Sequence, residues 1–321
     1  FFRLSAYQRQ IEDLLASGRL RIVPETRRHE VLAFVRRGLQ DISVSRTATR
    51  TGGWGVPVPG DDTQTIYVWI DALINYLAGP GFGTRADWDA WWNGEVAKTH
   101  VIGKNVWKFH AVYWPALLLS AGLPLPDTIV VHGFLTVNGQ KISKSLGNGV
   151  DPFDCIREFG ADAVRYYLLR AVPPAADGDF AVERLKQVYH TELANGLGNL
   201  VSRLTALAAR AGLPRSPYAA VPAAPEGYHE ALRQYQFDRA LATIQEAVAA
   251  INQEIDRAAP WKTLKAGDAA AVRPLAADWL RRAHGLAYWL APFLPQGAAA
   301  LRRAIEAVPL VAAGAVFARL P

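Results

Sequence analysis

Apolar positions in this chain keep a helical spacing at both ends and a strand-like spacing between. Tyr7 to Ser17 and about Thr26 to Arg37 read as two helices, each followed by a glycine (Gly18, Gly38) of the kind that closes a helix. RTATRTGGWGVPVPGDDTQ then forbids a long helix or a central strand. After it, β-rich runs alternate with helical ones. Thr65 to Ile70 predicts a strand leading into a short helix from Asp71. Thr99 to Ile102 predicts a second, leading into a helix from Val106 to Ala121, and Thr128 to Val131 a third. Such alternation predicts a parallel sheet covered by helices, with active groups at the strand C-termini. From Val182 the spacing is helical, interrupted by the linker LPRSPYAAVPAAPEG, and no strand pattern returns until the last few residues. The fold class expected is α/β followed by all-α, with no internal repeat.

Composition narrows this picture. A length of 321 residues suggests about two domains, and 50% hydrophobic residues suffice for a sizeable core. No apolar run reaches the roughly 18 residues of a membrane span, and nothing resembles a signal peptide. Cys155 is the single cysteine, which excludes an internal disulfide and a multi-cysteine zinc site, and fits a reducing, cytoplasmic setting. Methionine is absent even at position 1, so the chain is expected to be part of a longer protein. The net charge is +6, and most of the excess follows Glu183. A polyanionic partner or a solvated helical surface would each account for it.

The densest chemistry lies in HGFLTVNGQKISKSLGN. Asn138-Gly139 favours a tight turn. Asp151-Pro152 reads as a helix cap followed by proline at the first helical position. Between them Lys141 and Lys144 stand three apart among Ser143 and Ser145, in a segment too polar for a regular element. Paired lysines with hydroxyls suit chemistry in which negative charge develops, as in nucleotidyl transfer, but they also suit an ordinary basic turn. The flanks carry further candidates. YVWIDALINY places Trp69 and Tyr76 seven apart across a strand-to-helix corner. In HVIGKNVWKFH, Gly103 permits close backbone approach to a ligand, and Val106 and His110 share a helix face.

Taken together, these segments resemble the class I aminoacyl-tRNA synthetases, and within them the methionyl-tRNA synthetases. The resemblance runs from FFRLSAYQ through DISVSR, WGVPVPGD, YVWIDALINY and GLGNLVSR to EIDRAAPWK. It implies a ligase that activates methionine with ATP and Mg2+ and transfers it to tRNA(Met), with no membrane partner. KISKS matches the family's signature loop, so Lys141 and Lys144, with Ser143 and Ser145, would stabilise the triphosphate as pyrophosphate leaves; Ile142 replaces a methionine and is expected to face inward. Arg46 would face the catalytic pocket. Trp69, Tyr76, Val106 and His110 match the methionine side-chain pocket. Gly103 and Asn105, with Lys144, match ATP-binding positions, although the family carries an acid where this chain has Asn105. Asn199, Arg203 and Trp261 match the anticodon readers, an apt set for splayed single-stranded bases. Apart from the resemblance, the aromatics and His110 are also what core packing looks like, and Asn199 and Arg203 what a helix surface looks like.

The resemblance also implies missing parts. No His-x-Gly-His occurs, nor the family's zinc knuckle, and both would precede Phe1. The expected organisation is the tail of a connective insertion (1–45), the second half of a class I Rossmann-type nucleotide fold (46–135), a KISKS-loop and stem-contact region (136–182), and a helical anticodon-binding bundle (183–321). The competing readings are another class I synthetase and a non-catalytic tRNA-binding or regulatory relative.

Overall fold

The computed structural model of the protein describes residues 1–93, 95–137, 139–142 and 147–320. Asn138, Ser143, Lys144 and Ser145 therefore lie outside the described residues. The chain divides into two compact units, Phe1–Gly133 and Phe134–Pro321.

In the first unit the order is α1 (Gln8–Ser17), β1 (Arg21–Val23), α2 (Glu25–Arg36), β2 (Ser45–Thr47), α3 (Ala48–Thr51), β3 (Pro57–Val58) and β4 (Asp61–Ile66). It continues with α4 (Val68–Ala78), α5 (Trp88–Trp92), β5 (Thr99–Gly103), a π-helical stretch (Phe109–Tyr113), α6 (Trp114–Ala121) and β6 (Thr128–His132). A parallel sheet has the order β1-β6-β5, with Ile22 opposite Ile129 and Val101 opposite Val130. The central strand β6 is buried from Thr128 to Val131, as a strand flanked on both edges and covered by helices must be. Leu15, Val31, Leu73, Ile102, Trp114 and Ile129 share one core around it.

Two expectations for this unit change. Thr65 to Ile70 is not a parallel strand. β4 ends at Ile66 and lies in a separate antiparallel sheet of order β2-β4-β3, and α4 has begun by Val68. The reason is in the burial: Ile70, Leu73 and Leu77 are buried at helical spacing, whereas Asp61 to Gln64 is too polar for a sheet covered on both faces. The sheet's remaining strand is instead β1, a three-residue element between two helices and too short to show a period.

The second unit opens with β7 (Leu135–Val137) and β8 (Gln140–Lys141), then α7 (Pro152–Phe159), α8 (Ala161–Arg170) and β9 (Gly178–Asp179). The Asp151 carboxylate accepts the Phe153 N–H, as expected of the cap. The rest is helical: α9 (Val182–Val188), a ten-residue π-helix (Tyr189–Gly198), α10 (Asn199–Arg210), α11 (Tyr228–Arg233), α12 (Phe237–Ala258), α13 (Pro260–Lys265), α14 (Ala269–Leu290) and α15 (Pro295–Glu306). Leu197, Leu204, Ile244, Val248, Leu280 and Leu301 belong to its core. The closing segment, where the sequence regains a strand pattern, is irregular; Phe317 is buried there and the Tyr189 hydroxyl donates to the Ala318 carbonyl. Among the described residues no helix is long and apolar enough to cross a membrane.

Candidate active site and nucleic-acid interface

Trp69 and Tyr76 both lie on α4, two turns apart and therefore on one face, with no corner between them. The π-helical stretch carrying His110 packs against them. Trp69 stacks on Phe109 with ring centroids 4.2 Å apart and meets His110 edge-on at 6.5 Å. His110 Nδ1 lies 3.0 Å from the Val106 carbonyl, which can only accept, so Nδ1 carries the proton. Nε2 is then an acceptor, and the Tyr76 hydroxyl donates to it at 2.9 Å. Burial lowers the His110 pKa and raises that of Tyr76, which keeps both neutral. The four residues expected at a methionine side chain are thus brought together as an uncharged aromatic wall, with the Val106 carbonyl fixing the imidazole. Such a surface suits a polarisable thioether.

Two members of this wall escaped the sequence. Phe109 was hidden as one aromatic among several. His100 sits on β5 in tilted contact with Tyr76 at 4.1 Å, and its Nε2 accepts from the Trp114 indole at 3.2 Å. Burial, helped by the nearby His110, pulls its pKa to about 4. One signal was available: His100 and Ile102 take the inward positions of a strand whose Thr99 and Val101 face out.

Arg46 lies on β2 with its guanidinium 3.8 Å above the Tyr67 ring, and its Nη1 donates to the Ser43 and Ser45 carbonyls. It lines a cavity of ≈ 770 Å³ that also includes Arg50, Trp54, Val68 and Asp71. The four wall residues do not line this cavity; Phe109 of the wall meets one residue that does, Tyr67, edge-on at 6.5 Å. At the end of β5, a Cβ on Gly103 would lie 3.0 Å from Asn105 Oδ1, so the glycine makes room for the Asn105 side chain. No group of three His, Cys, Asp or Glu among the described residues could hold a metal ion.

In the second unit Lys141 ends the β7–β8 hairpin, exposed, with its ammonium 5.9 Å from the Phe134 ring. Ile142 is 39% exposed, so it does not face inward as expected; it lies just past β8, where no strand pairing fixes the side its side chain takes. Asp179 on β9, which the sequence reading passed over, accepts from Thr136 Oγ1 and the Gly139 N–H, both at 2.8 Å. Its carboxylate ties down the base from which the lysine-bearing segment departs.

Asn199 is exposed at the start of α10, where the π-helix ends. Arg203 lies one turn on and reaches across to α12, pairing with Asp256 at 2.7 Å and with Asn252 Oδ1 at 3.2 Å. Trp261, 40% exposed, stands in the first turn of α13, which follows α12 directly and touches α10. Asn199 and Arg203 are thus one turn apart on α10, Arg203 is tethered to α12, and Trp261 opens α13; an exposed amide, a guanidinium and an open indole are groups able to hydrogen-bond and stack on unpaired bases.

Residues 1–205 match the family model described as tRNA synthetases class I (M). The chain is 40% identical over 316 residues to the methionine–tRNA ligase of Thermosynechococcus vestitus, covering 92% of this chain and 58% of that protein. It is also 40% identical over 284 residues to the methionine–tRNA ligase of Thermotoga maritima, covering 84% and 44%. The chain thus spans about half the length of these relatives. Among solved structures it is similar to the Mycobacterium tuberculosis methionyl-tRNA synthetase bound by methionyl-adenylate, with a TM-score of 0.86, 34% identity and coverage of 99% of this chain and 68% of that one.

Proposed function

The chain belongs to the class I tRNA synthetases of the M type, and from that membership we propose that it forms part of a methionine–tRNA ligase. The observation that carries this reading is the neutral wall of Trp69, Tyr76 and His110, with the imidazole tautomer set by the Val106 carbonyl. A positively charged imidazole would repel no thioether, but it would cost desolvation; the neutral ring keeps the pocket apolar enough to select methionine over polar isosteres. The methionine carboxylate attacks the α-phosphate of ATP and pyrophosphate leaves. Lys141 and Lys144, assisted by Ser143 and Ser145, meet the charge that develops on the leaving group, and Arg46 faces the reacting groups. Gly103 and Asn105 hold the ATP ribose, the Asn105 amide more weakly than a carboxylate would. Magnesium would enter with the triphosphate and screen its charge. The aminoacyl group then passes to tRNA(Met), whose anticodon is read by Asn199, Arg203 and Trp261. The regions 1–45, 46–135, 136–182 and 183–321 serve as insertion tail, half-fold, loop region and anticodon bundle.

Two measurements test this. ATP–pyrophosphate exchange with methionine should stay at background for the chain alone and appear when it is joined to the upstream portion of a matching relative. Separately, the chain should bind a CAU stem-loop in preference to one with a scrambled triplet. Trp261→Ala should remove about 1–3 kcal/mol of that binding, the worth of one stacked base, while leaving the salt dependence nearly unchanged. Equal affinity for both loops in the folded wild type would refute the anticodon assignment.

A further inference from the structure

Behind the aromatic wall lies a second pair of rings, buried and remote from solvent. Trp114 and Trp92 are 1% and 4% exposed, with centroids 6.2 Å apart. An indole N–H can only donate, and a buried one needs an acceptor. Trp92 finds the Pro124 carbonyl at 3.1 Å. Trp114 donates instead to a side chain, His100 Nε2, at 3.2 Å. The same imidazole lies against the Tyr76 ring, centroids 4.1 Å apart, and 6.3 Å from that of His110. His100 therefore links the buried indoles to the wall, and the reaction described above gives it no task. Its own footing is firm, because it pairs with Ile129 in the middle of the β5–β6 ladder.

We propose that His100 is a positioning residue for methionine, acting through Tyr76 to fix the ring angles of the side-chain pocket, an inference that rests on the proposed ligase reading. Tyr76 is bonded to His110 through its hydroxyl alone. A tyrosine held at its tip still turns about the axis from Cβ to that hydroxyl, since the turn leaves the oxygen in place. A flat neighbour at 4.1 Å stops the turn. His100 in turn cannot rotate without losing the Trp114 N–H, whose donor has no water to fall back on. The order of command thus runs from Trp114 to His100 to Tyr76, and from Tyr76 to the His110 imidazole. A thioether responds to such angles, because sulfur distinguishes the edge of a ring from its face. The tautomer agrees with this role. Nε2 accepts, so the neutral ring carries its proton on Nδ1, and burial with His110 nearby keeps the pKa at about 4. An imidazolium could not accept the indole N–H. Three residues further along the same strand stands Gly103, proposed at the ATP ribose, so the two substrates can be separated in the test.

Three substitutions distinguish hydrogen bonding from bulk. His100→Gln places an amide oxygen three bonds from Cβ, as Nε2 is, and can still accept from Trp114. His100→Asn places it two bonds away, as Nδ1 is, and falls short. His100→Leu keeps the bulk with no acceptor. In the chain alone, labelled with 15N-tryptophan, the Trp114 indole proton should keep its downfield resonance in His100→Gln and move upfield in the other two. In the chain joined to the upstream portion of a matching relative, methionine-dependent ATP–pyrophosphate exchange supplies the kinetics. His100→Leu and His100→Asn should raise the methionine KM about tenfold, the cost when the competent ring arrangement falls to about a tenth of the population. The ATP KM, and turnover at saturating methionine, should change by less than about twofold. His100→Gln should recover most of the loss. Norleucine, which has a methylene in place of the sulfur, should be affected far less, so that the preference for methionine over norleucine shrinks in His100→Leu and His100→Asn. An unchanged methionine KM in His100→Leu, equal losses for methionine and norleucine, or His100→Asn performing as well as His100→Gln would each overturn the proposal. Where His100→Leu fails to fold by circular dichroism, the comparison of asparagine with glutamine decides. Absence of exchange in the joined wild type would strike the ligase reading and this inference with it, whereas exchange with an unaltered methionine KM in the variants would overturn this inference alone.

Discussion

Acid should weaken the first unit through His100. In the folded chain burial holds its pKa at about 4, whereas a histidine in an unfolded chain titrates near 6.5. The folded value is the lower one, so between these limits the unfolded state binds more protons, and stability is lost as pH falls from about 6.5 towards 4. At about 1.4 kcal/mol per pH step, the full span is worth about 3 kcal/mol, of which about 2 kcal/mol falls between pH 7 and pH 5. His110, also depressed by burial, acts in the same direction. The carboxylates held low by arginine or serine partners, such as Glu25 and Asp87, lose their contribution only at lower pH, so the window isolates the imidazoles. His100→Gln removes the titration and keeps a carbonyl able to accept the Trp114 indole N–H. Urea unfolding followed by tryptophan fluorescence at pH 7 and pH 5 should show the wild type losing about 2 kcal/mol or more and the variant distinctly less. Equal acid losses in the two proteins would refute the argument that burial of His100 sets the difference.

Three further outcomes are expected. In the chain joined to the upstream portion of a matching relative, Lys144→Ala should slow adenylate formation by roughly 10²-fold or more with little change in methionine affinity, as single-turnover kinetics and equilibrium binding would separate. Asn105→Asp should tighten ATP binding by roughly tenfold in calorimetry, because a carboxylate accepts the ribose hydroxyls with charge assistance; an unchanged affinity would remove Asn105 from the ATP site. Gly198→Ala should destabilise the helical unit in thermal melts, opposite in sign to the gain of about 1 kcal/mol that alanine brings to an ordinary helix interior, since the new Cβ would lie 3.1 Å from the Leu193 carbonyl.

The parts of the fold readable in sequence were those whose burial follows a single period over enough residues. The helices α1, α2 and α12 and the strand β5 are of this kind, while β6 was readable as an unbroken β-branched run. β1 was not, because three residues between two helices display no period. The Thr65 to Ile70 run misled because β-branched and aromatic residues continue across a point at which burial turns helical. Sites divide in the same way. Trp69, Tyr76, Val106 and His110 were found through motif resemblance, and the geometry adds the hydrogen bonds that make them one surface. The partners of His100, Asp179 and Asp256 (Tyr76, Thr136, Arg203) could not be found through spacing, since each lies 24 or more positions away along the chain and only the fold supplies it. Arg50 ends the four-residue helix α3 and Trp54 follows it past two glycines, a stretch too short to display a period, and only their exposure marks them.

Each group of candidate residues has one member at a π-helical stretch, His110 within the first and Asn199 at the end of the second, and the geometry explains why that is useful. A π-turn inserts one residue into a helix, so side chains beyond it rotate by about 100° relative to those before it. In Phe109–Tyr113 this lets Phe109 stack on Trp69 while His110, the very next residue, still turns inward to Tyr76. In Tyr189–Gly198 the helix reaches Asn199 with its N–H bonded to the Ala194 carbonyl five residues back. Leu193 and Leu197 remain in the core, and Asn199 emerges exposed beside the inward-facing Leu200. A regular helix would fix the phase of these side chains by the demands of the core on either side. The inserted residue uncouples the two, so that core packing and the aim of a polar side chain can each be satisfied. The wider helical bore weakens dispersion contacts along the axis, and a side chain at Gly198 would crowd the carbonyl five residues earlier. Such turns persist only where surrounding packing holds them, and here that packing comes from α4 against the first and from α8, α9 and α12 against the second.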